Sequence, residues 1–217
     1  MEVIRDWSLS DSAGFPLILL PAAYTHAHDF VAHGFIAAAR AAGRFGEIAA
    51  VETGMEAYLD GSIVRRLHET IGSVRTDGAR VWLAGISLGG LGALLYAKAH
   101  PEAVAGILLL SPFIGTRGTV AQVIAAGGFD AWQPPEGEAA TREHRLLQWL
   151  KAYSSGGAQW PDIYLGYGEN DRFAASYRLL AGLLPAARVV TEAGGHDWET
   201  WTVLWGRILH TACFRTG

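Results

Sequence analysis

Short apolar runs recur along the chain, separated by longer stretches whose apolar positions return at helical spacing. "FPLILL" (15–20), "EIAAV" (47–51), "VWLAG" (81–85), "GILLL" (106–110), "DIYLGY" (162–167) and "ARVVTE" (187–192) are the strand candidates. Most lack the polar alternation of a strand with one wet face, which is how strands buried on both faces of a parallel sheet read. Helices are expected near 28–42, 60–72, 88–100, 172–183 and 197–212. Pro101 closes the third of these, because proline cannot continue a helix interior. Strand and helix in alternation imply right-handed crossovers, hence an α/β fold built on a doubly wound, mostly parallel sheet.

One segment breaks the rhythm. Between "GILLL" and "DIYLGY" lie "AAGGFDAWQPPEGEAA", a helix-like "TREHRLLQWLKAY" and "SSGGAQWP". A structureless loop of that length is unusual in a compact domain. The stretch 118–160 is therefore expected to form a small helical cap or lid over one end of the sheet, with an extra crossover helix and surface loop as the alternative. The helix "REHRLLQWLKAY" puts Leu146, Leu147 and Leu150 on one face, as for a helix lying on an apolar surface. No repeat, low-complexity tract or linker divides the chain, so residues 1–217 are expected to make one domain.

Bulk properties narrow the function classes. The chain has 217 residues, half of them apolar, enough for a sizeable core. A net charge of −4 and a pI near 6.0 argue against nucleic acid or an anionic membrane as the main partner. The single cysteine, Cys213, excludes an internal disulfide framework and offers no zinc spacing. "MEVIRDWSLS" lacks the apolar core of a signal peptide, and no run approaches the roughly 18 apolar residues of a membrane span. A cytoplasmic protein without a membrane span is expected; the oligomeric state is not legible.

The stretch "VWLAGISLGGLGALLYAKAH" carries the chemistry. A nucleophile must stand where a carbonyl carbon can reach it, and a sharp strand-to-helix turn exposes Ser87 in that way. Such a turn crowds its neighbours, and Gly85 and Gly89 remove the Cβ atoms that would collide. With 27 glycines in the chain the motif alone is weak, but here it follows an apolar strand and opens a helix, the context it requires. The alternative is a glycine-rich turn with an ordinary capping serine.

A serine hydroxyl needs a base, and the base an orienting acid. Asp171 in "YLGYGENDRFAA" and His196 in "VVTEAGGHDWETW" both follow strands, at the same sheet edge as Ser87. Glu169 is the next choice for the acid, and the alternative reading of Asp171 is a helix cap. Asp197 stands too close to His196 to hold its ring and is expected to cap the last helix. The amide of Leu88, at a helix N-terminus, and that of Ala23, after the first strong strand, are the expected oxyanion donors, with Tyr24 second to Ala23. Tyr24, Phe113, Trp132, Trp149 and Trp198 are the aromatics expected to bind substrate; Trp149 and Trp201 can equally fill core gaps. His26, His28 and Asp29, with His33 nearby, form a cluster that could bind metal, but no further set has matching spacing. No metal or other cofactor is expected.

"GISLGG", "GENDRF" and "GGHDW", in that order, resemble the α/β-hydrolase superfamily. The nearest likeness is to serine hydrolases of the esterase D or "putative esterase" type, which include S-formylglutathione hydrolases and feruloyl esterases. "GISLGGLGALLYAKAHPEAVAGILLLSPFIG" is similar to their nucleophile elbow and following strand, and "GGHDWETWTVLWGRIL" to their histidine loop and last helix. The likeness is weak over the first 80 residues, where those proteins begin with extra antiparallel strands. It implies a compact α/β-hydrolase fold and a serine esterase with a Ser-Asp-His triad, taking a small-molecule ester of a small or medium acyl group. A thioester would be cleaved by the same steps. A non-catalytic binding protein of the same fold and a metal-dependent hydrolase are the readings from other classes.

Overall fold

The computed structural model describes residues 1–7, 14–75, 78–154 and 160–211; Cys213 lies outside them. In chain order, β1 (Val3–Trp7), β2 (Phe15–Leu20), α1 (Asp29–Ala32), α2 (Phe35–Ala41), β3 (Phe45–Val51), α3 (Met55–Leu59) and α4 (Ile63–Val74) form the first half. There follow β4 (Val81–Ile86), α5 (Leu88–Ala99), β5 (Val104–Leu110), α6 (Arg117–Ala125), α7 (Arg142–Ser154), β6 (Asp162–Gly168), α8 (Ala174–Ala181), β7 (Val189–Glu192) and α9 (Trp198–Thr211). The strands make one seven-stranded sheet in the order β1-β3-β2-β4-β5-β6-β7, parallel throughout except for β1, which runs antiparallel to β3.

Successive strand residues feed opposite faces. Ile18 and Leu20 join one core with Leu83, Ile107, Leu109, Leu165 and the apolar sides of α4, α5 and α8. Leu17 and Leu19 join the other with Ala84, Leu108, Leu110 and the sides of α1, α2 and α9. Both faces are covered, so no strand needs a polar side, and this is why the runs read as continuous apolar stretches. The chain leaves β2 toward β3 on one side and then crosses back to β4 on the other. The carboxyl ends of β2 and β4 thus flank the point where strand order reverses, the place where open α/β sheets bind ligands.

The expected strands are all present, and three local features differ from expectation. β1 pairs residue for residue from Val3↔Val51 to Trp7↔Glu47; a charged five-residue edge strand with one neighbour carries little apolar signal. The helix expected over 28–42 is two, because Gly34 turns the chain at φ 73°. The short helix α3 lies just ahead of the helix expected over 60–72, where no element is expected. Among the described residues no helix is long and apolar enough to cross a membrane.

The stretch 118–160 contains most of α6, a short 3-10 turn at Gly137–Ala139, and α7. The expected apolar face of α7 is buried: Leu146, Leu147 and Leu150 join Val120, Val123, Phe129 and Trp132 in the same core as the strands. Trp132 is only 3% exposed, meets Phe129 edge-on and stacks on His144, and its carbonyl accepts from Lys151 Nζ at 2.7 Å. This packing makes Trp132 a core residue. Trp132→Ala is expected to cost about 3–5 kcal/mol of stability and to leave the relative rates on two-carbon to twelve-carbon esters unchanged. Denaturant unfolding and an acyl-chain series measure the two.

Candidate active site

Ser87 stands between β4 and α5 with φ 49° and ψ −111°, a left-handed backbone that a non-glycine residue adopts only under constraint. The constraint is visible in its neighbours. A Cβ on Gly85 would lie 2.4 Å from the Gly89 carbonyl oxygen, and one on Gly89 would lie 2.1 Å from that of Leu20. The two glycines of the motif thus press against each other and against the end of β2. Ser87 N–H donates to Leu110 O at 2.9 Å, and Ser87 O accepts from Phe113 N–H at 2.8 Å. Both neighbouring strand ends therefore grip the turn.

The loops after β6 and β7 arrive at the same place. Asn170 N–H donates to Gly194 O at 3.0 Å and Glu169 N–H to Glu192 O at 2.9 Å, which ties one loop to the other. His196 Nε2 lies 3.0 Å from Ser87 Oγ, and His196 Nδ1 lies 2.6 Å from Asp171 Oδ2. A carboxylate only accepts, so Nδ1–H donates to Asp171 and leaves Nε2 free to accept from the serine. Glu169 is exposed. Asp197 Oδ1 accepts from Thr200 N–H at 2.9 Å, at the start of α9.

Asp171 is 5% exposed, and both its oxygens are occupied. Oδ1 accepts from Phe173 N–H at 2.9 Å; Oδ2 accepts from His196 and, at 3.0 Å, from the Tyr177 hydroxyl. Burial pushes the carboxyl up, but the bonds from His196, Phe173 and Tyr177 outweigh it and hold the group below the usual carboxylate range. Burial, and then the adjacent Asp171 charge, drive the Tyr177 hydroxyl far above an ordinary phenol, so it remains a donor. Its oxygen is also 3.3 Å from His196 Nδ1. Sequence reasoning missed Tyr177; its only signal is a spacing of six from Asp171 along a helical stretch.

A cavity of about 370 Å³ opens over Ser87 and His196. Ala23, Tyr24, Phe113, Phe173 and Trp201 are among its walls. Phe173 and Trp201 meet the imidazole edge-on at 5.4 and 5.0 Å. Tyr24 is 91% exposed and also has a left-handed backbone, φ 61°, in a turn closed by Thr25 N–H on Ala22 O. Leu88 opens α5 directly after Ser87, at the end of a helix where N–H groups lack intrahelical partners.

Three expected aromatics stand elsewhere. Trp132 lies in the core, and Trp149 packs against Tyr153 and Trp160. Among the described residues none of 118–160 walls the cavity. Helical spacing identifies an apolar face but not what covers it, and here the sheet core does. Trp198 stacks on His33 at 4.2 Å and meets Phe30 and Phe35 edge-on; Trp201, one turn later on α9, takes the wall position. In the histidine cluster, Asp29 Oδ2 accepts from His26 N–H, and His26 Nδ1 lies 3.4 Å from Glu52 Oε1. Among the described residues no three His, Cys, Asp or Glu side chains converge as a metal site would need.

Structures similar to this one include fluorophosphonate-binding serine hydrolase F (FphF) of Staphylococcus aureus, with a TM-score of 0.64 at 16% identity, covering 96% of this chain and 90% of that one. The S-formylglutathione hydrolase FrmB of the same organism has a TM-score of 0.62 at 14% identity, covering 91% and 80%. Est1E of Butyrivibrio proteoclasticus, solved with ferulic acid bound, has 0.61 at 14%, covering 96% and 94%. At these identities the likeness shows the α/β-hydrolase fold. No curated protein matches the sequence significantly. The family model described as "Putative esterase" matches residues 32–209, most of the sheet and every element of the site from α2 onward, and the chain belongs to that esterase family.

Proposed function

We propose that the protein hydrolyses carboxylic esters of small or medium acyl groups through a covalent acyl-serine. The observation that carries this reading is the continuous chain from Ser87 Oγ through His196 to Asp171, at 3.0 and 2.6 Å, on the floor of a cavity. Ser87 Oγ attacks the carbonyl carbon while Nε2 of His196 takes its proton. The imidazolium so formed is stabilised by Asp171 and then gives the proton to the leaving alcohol. Water, activated by the same imidazole, attacks the acyl-serine and releases the acid. The amides of Leu88 and Ala23 are assigned to the oxyanion, which a donor pair stabilises by a few kcal/mol.

Tyr177 is assigned as a positioning residue: its hydroxyl holds Asp171 Oδ2 where the imidazole must meet it. Tyr24 and Phe113 are assigned to the substrate, Tyr24 as an exposed ring at the mouth. Phe113 also lines a second cavity of about 350 Å³, with Ile63, Val64, Leu91 and Leu95. It therefore limits how far an acyl chain can extend. The described part of 118–160 is assigned as a cap docked beside the mouth by the core contacts of α6 and α7.

Ser87→Ala is expected to abolish fluorophosphonate labelling and lower kcat by several orders of magnitude, roughly 10⁴ to 10⁶, in a folded protein. Near-normal turnover in that variant sinks the serine mechanism. Phe113→Ala is expected to shift preference toward longer acyl chains by joining the two cavities, as read from kcat/KM across two-carbon to twelve-carbon p-nitrophenyl esters. Tyr177→Phe is expected to lower kcat about tenfold, the worth of one hydrogen bond of about 1.4 kcal/mol. It also has a pH signature. Asp171 is held low in the fold, so its contribution to stability is full above the unfolded carboxylate range and is lost as pH falls through the folded value. Removing a donor raises that folded value, so the Tm gap between variant and wild type should be widest near neutrality and narrow on acidification. A gap independent of pH denies Tyr177 this role.

A further inference from the structure

Phe173, a wall of the catalytic cavity that faces the His196 ring, carries two guanidinium groups. Arg172 Cζ lies 4.8 Å from its centroid and Arg117 Cζ 5.5 Å. They come from different elements, Arg172 from the loop after β6 and Arg117 from the first residue of α6, and both are exposed. Arg172 is itself a wall of the cavity.

Neither guanidinium has a partner other than this ring, a lack shared among the described arginines by Arg80 and Arg142; what distinguishes the pair is its place over a wall of the catalytic cavity. Arg5, Arg40, Arg65, Arg66, Arg188 and Arg207 each pair with a carboxylate. Among the described residues Arg117 and Arg172 make no ion pair or hydrogen bond, in a chain with 21 acidic residues against 17 basic ones. Glu143, on α7 but packed against the start of α6, accepts at Oε2 from the Thr116 N–H and hydroxyl and from the Thr119 hydroxyl instead. Two like charges on one ring repel. Arg117 also stands at the end of a helix where the peptide dipoles disfavour a cation. The aromatic face offsets part of this cost. An anion between the two guanidiniums would offset the rest, and the guanidinium fork matches carboxylate and phosphate oxygens.

We propose that Arg117 and Arg172 form an anion-recognition pair at the mouth of the cavity, so that the substrate is an ester bearing a carboxylate or phosphate group. The proposal rests on the serine-esterase reading above. It defines the substrate class by charge and leaves the bond cleaved unchanged.

Three pairs of esters test it and separate the sources of charge. Mono-p-nitrophenyl adipate against its methyl ester places a carboxylate on the acyl side. 4-Acetoxybenzoate against methyl 4-acetoxybenzoate places it on the alcohol side. 4-Acetoxyphenyl phosphate against its dimethyl ester replaces carboxylate by phosphate. For each pair the quantity read is the ratio of kcat/KM, anionic over neutral. In wild type at least one ratio is expected to exceed the neutral baseline by about tenfold and to fall between about 20 and 300 mM salt as the charges are screened. Arg117→Gln with Arg172→Gln should remove most of that preference, and the double lysine variant should keep part of it. Because Arg172 adjoins Asp171, Arg117→Gln alone provides a second variant that leaves the acid loop intact; it should lose part of the preference. Wild type that is labelled at Ser87 by fluorophosphonate but shows the same three ratios as the double glutamine variant overturns the anion site alone. Wild type that is neither labelled nor active on any neutral ester overturns the serine reading and the anion site together.

Discussion

The structure depends on how closely three stretches of backbone approach one another beneath Ser87. Gly85, Gly89 and Gly90 sit where a Cβ would fall within 2.7 Å of Gly89 O, Leu20 O and Pro112 Cβ respectively. That contact draws the start of α5 down between the ends of β2 and β5. It leaves Ser87 in a backbone conformation that costs on the order of 1–3 kcal/mol. The cost is borne by the bonds of the turn: Ser87 N–H to Leu110 O at the end of β5, Phe113 N–H in the following loop to Ser87 O, and, within the turn, Gly90 N–H to Ser87 O at 3.0 Å. A turn held on three sides cannot relax, so the hydroxyl stays aimed at the cavity.

The other half of the site uses the same device at lower cost. A Cβ on Gly168 would lie 2.5 Å from Gly194 O, so the end of β6 and the histidine loop also meet backbone to backbone. Thr200 Oγ1 accepts from Gly195 N–H at 3.0 Å and pins that loop to the start of α9. Ser87, Asp171 and His196 thus each follow a parallel strand, and each loop is fixed to its neighbour by main chain. Parallel strands all end at one edge, which is why residues 109 positions apart in sequence stand 3.0 Å apart in space.

Much of this was legible in the sequence, for reasons that also mark its limits. The parallel strands announce themselves because burial on both faces removes most polar residues from their centres; Glu47 in β3 and Thr191 in the half-buried edge strand β7 are exceptions. Ser87 and its glycines are legible because the motif is local, a glycine two residues either side of the serine, even though one of the backbones they meet, that of Leu20, is distant in sequence. Strand order brings His196 and the loop of Asp171 to the edge of Ser87, but it does not separate Asp171 from Glu169 on that loop. β1 was missed because an edge strand with one neighbour tolerates Arg5 and Asp6. Trp132 is expected at the cavity because it lies in the Gly- and Pro-rich stretch ahead of α7; Trp149 is expected there because helical spacing cannot say whether an apolar face meets a cavity or a sheet. Trp201 and Trp198 were exchanged for the same reason, being three residues apart on one helix and so on adjoining faces. Phe173, Tyr177 and Arg117 are legible only in three dimensions. Their roles depend on the angle at which α6 and α8 leave the sheet, and no local pattern encodes that angle.

Asp171 links the chemistry to the mouth of the cavity. One oxygen takes the imidazole and the Tyr177 hydroxyl; the other takes the Phe173 amide and so fixes the ring that walls the cavity. The carboxylate that holds the His196 ring therefore also places the Phe173 ring against which the Arg117 and Arg172 guanidiniums lie. All three donors point inward at one carboxylate, and an amide in its place would turn an NH₂ group toward at least one of them. Glu169, two residues earlier, lies in the exposed part of the same loop, where only its main chain meets the histidine loop. The choice of acid is thus set by burial and by the number of donors that converge. Distance along the chain from the strand end does not decide it.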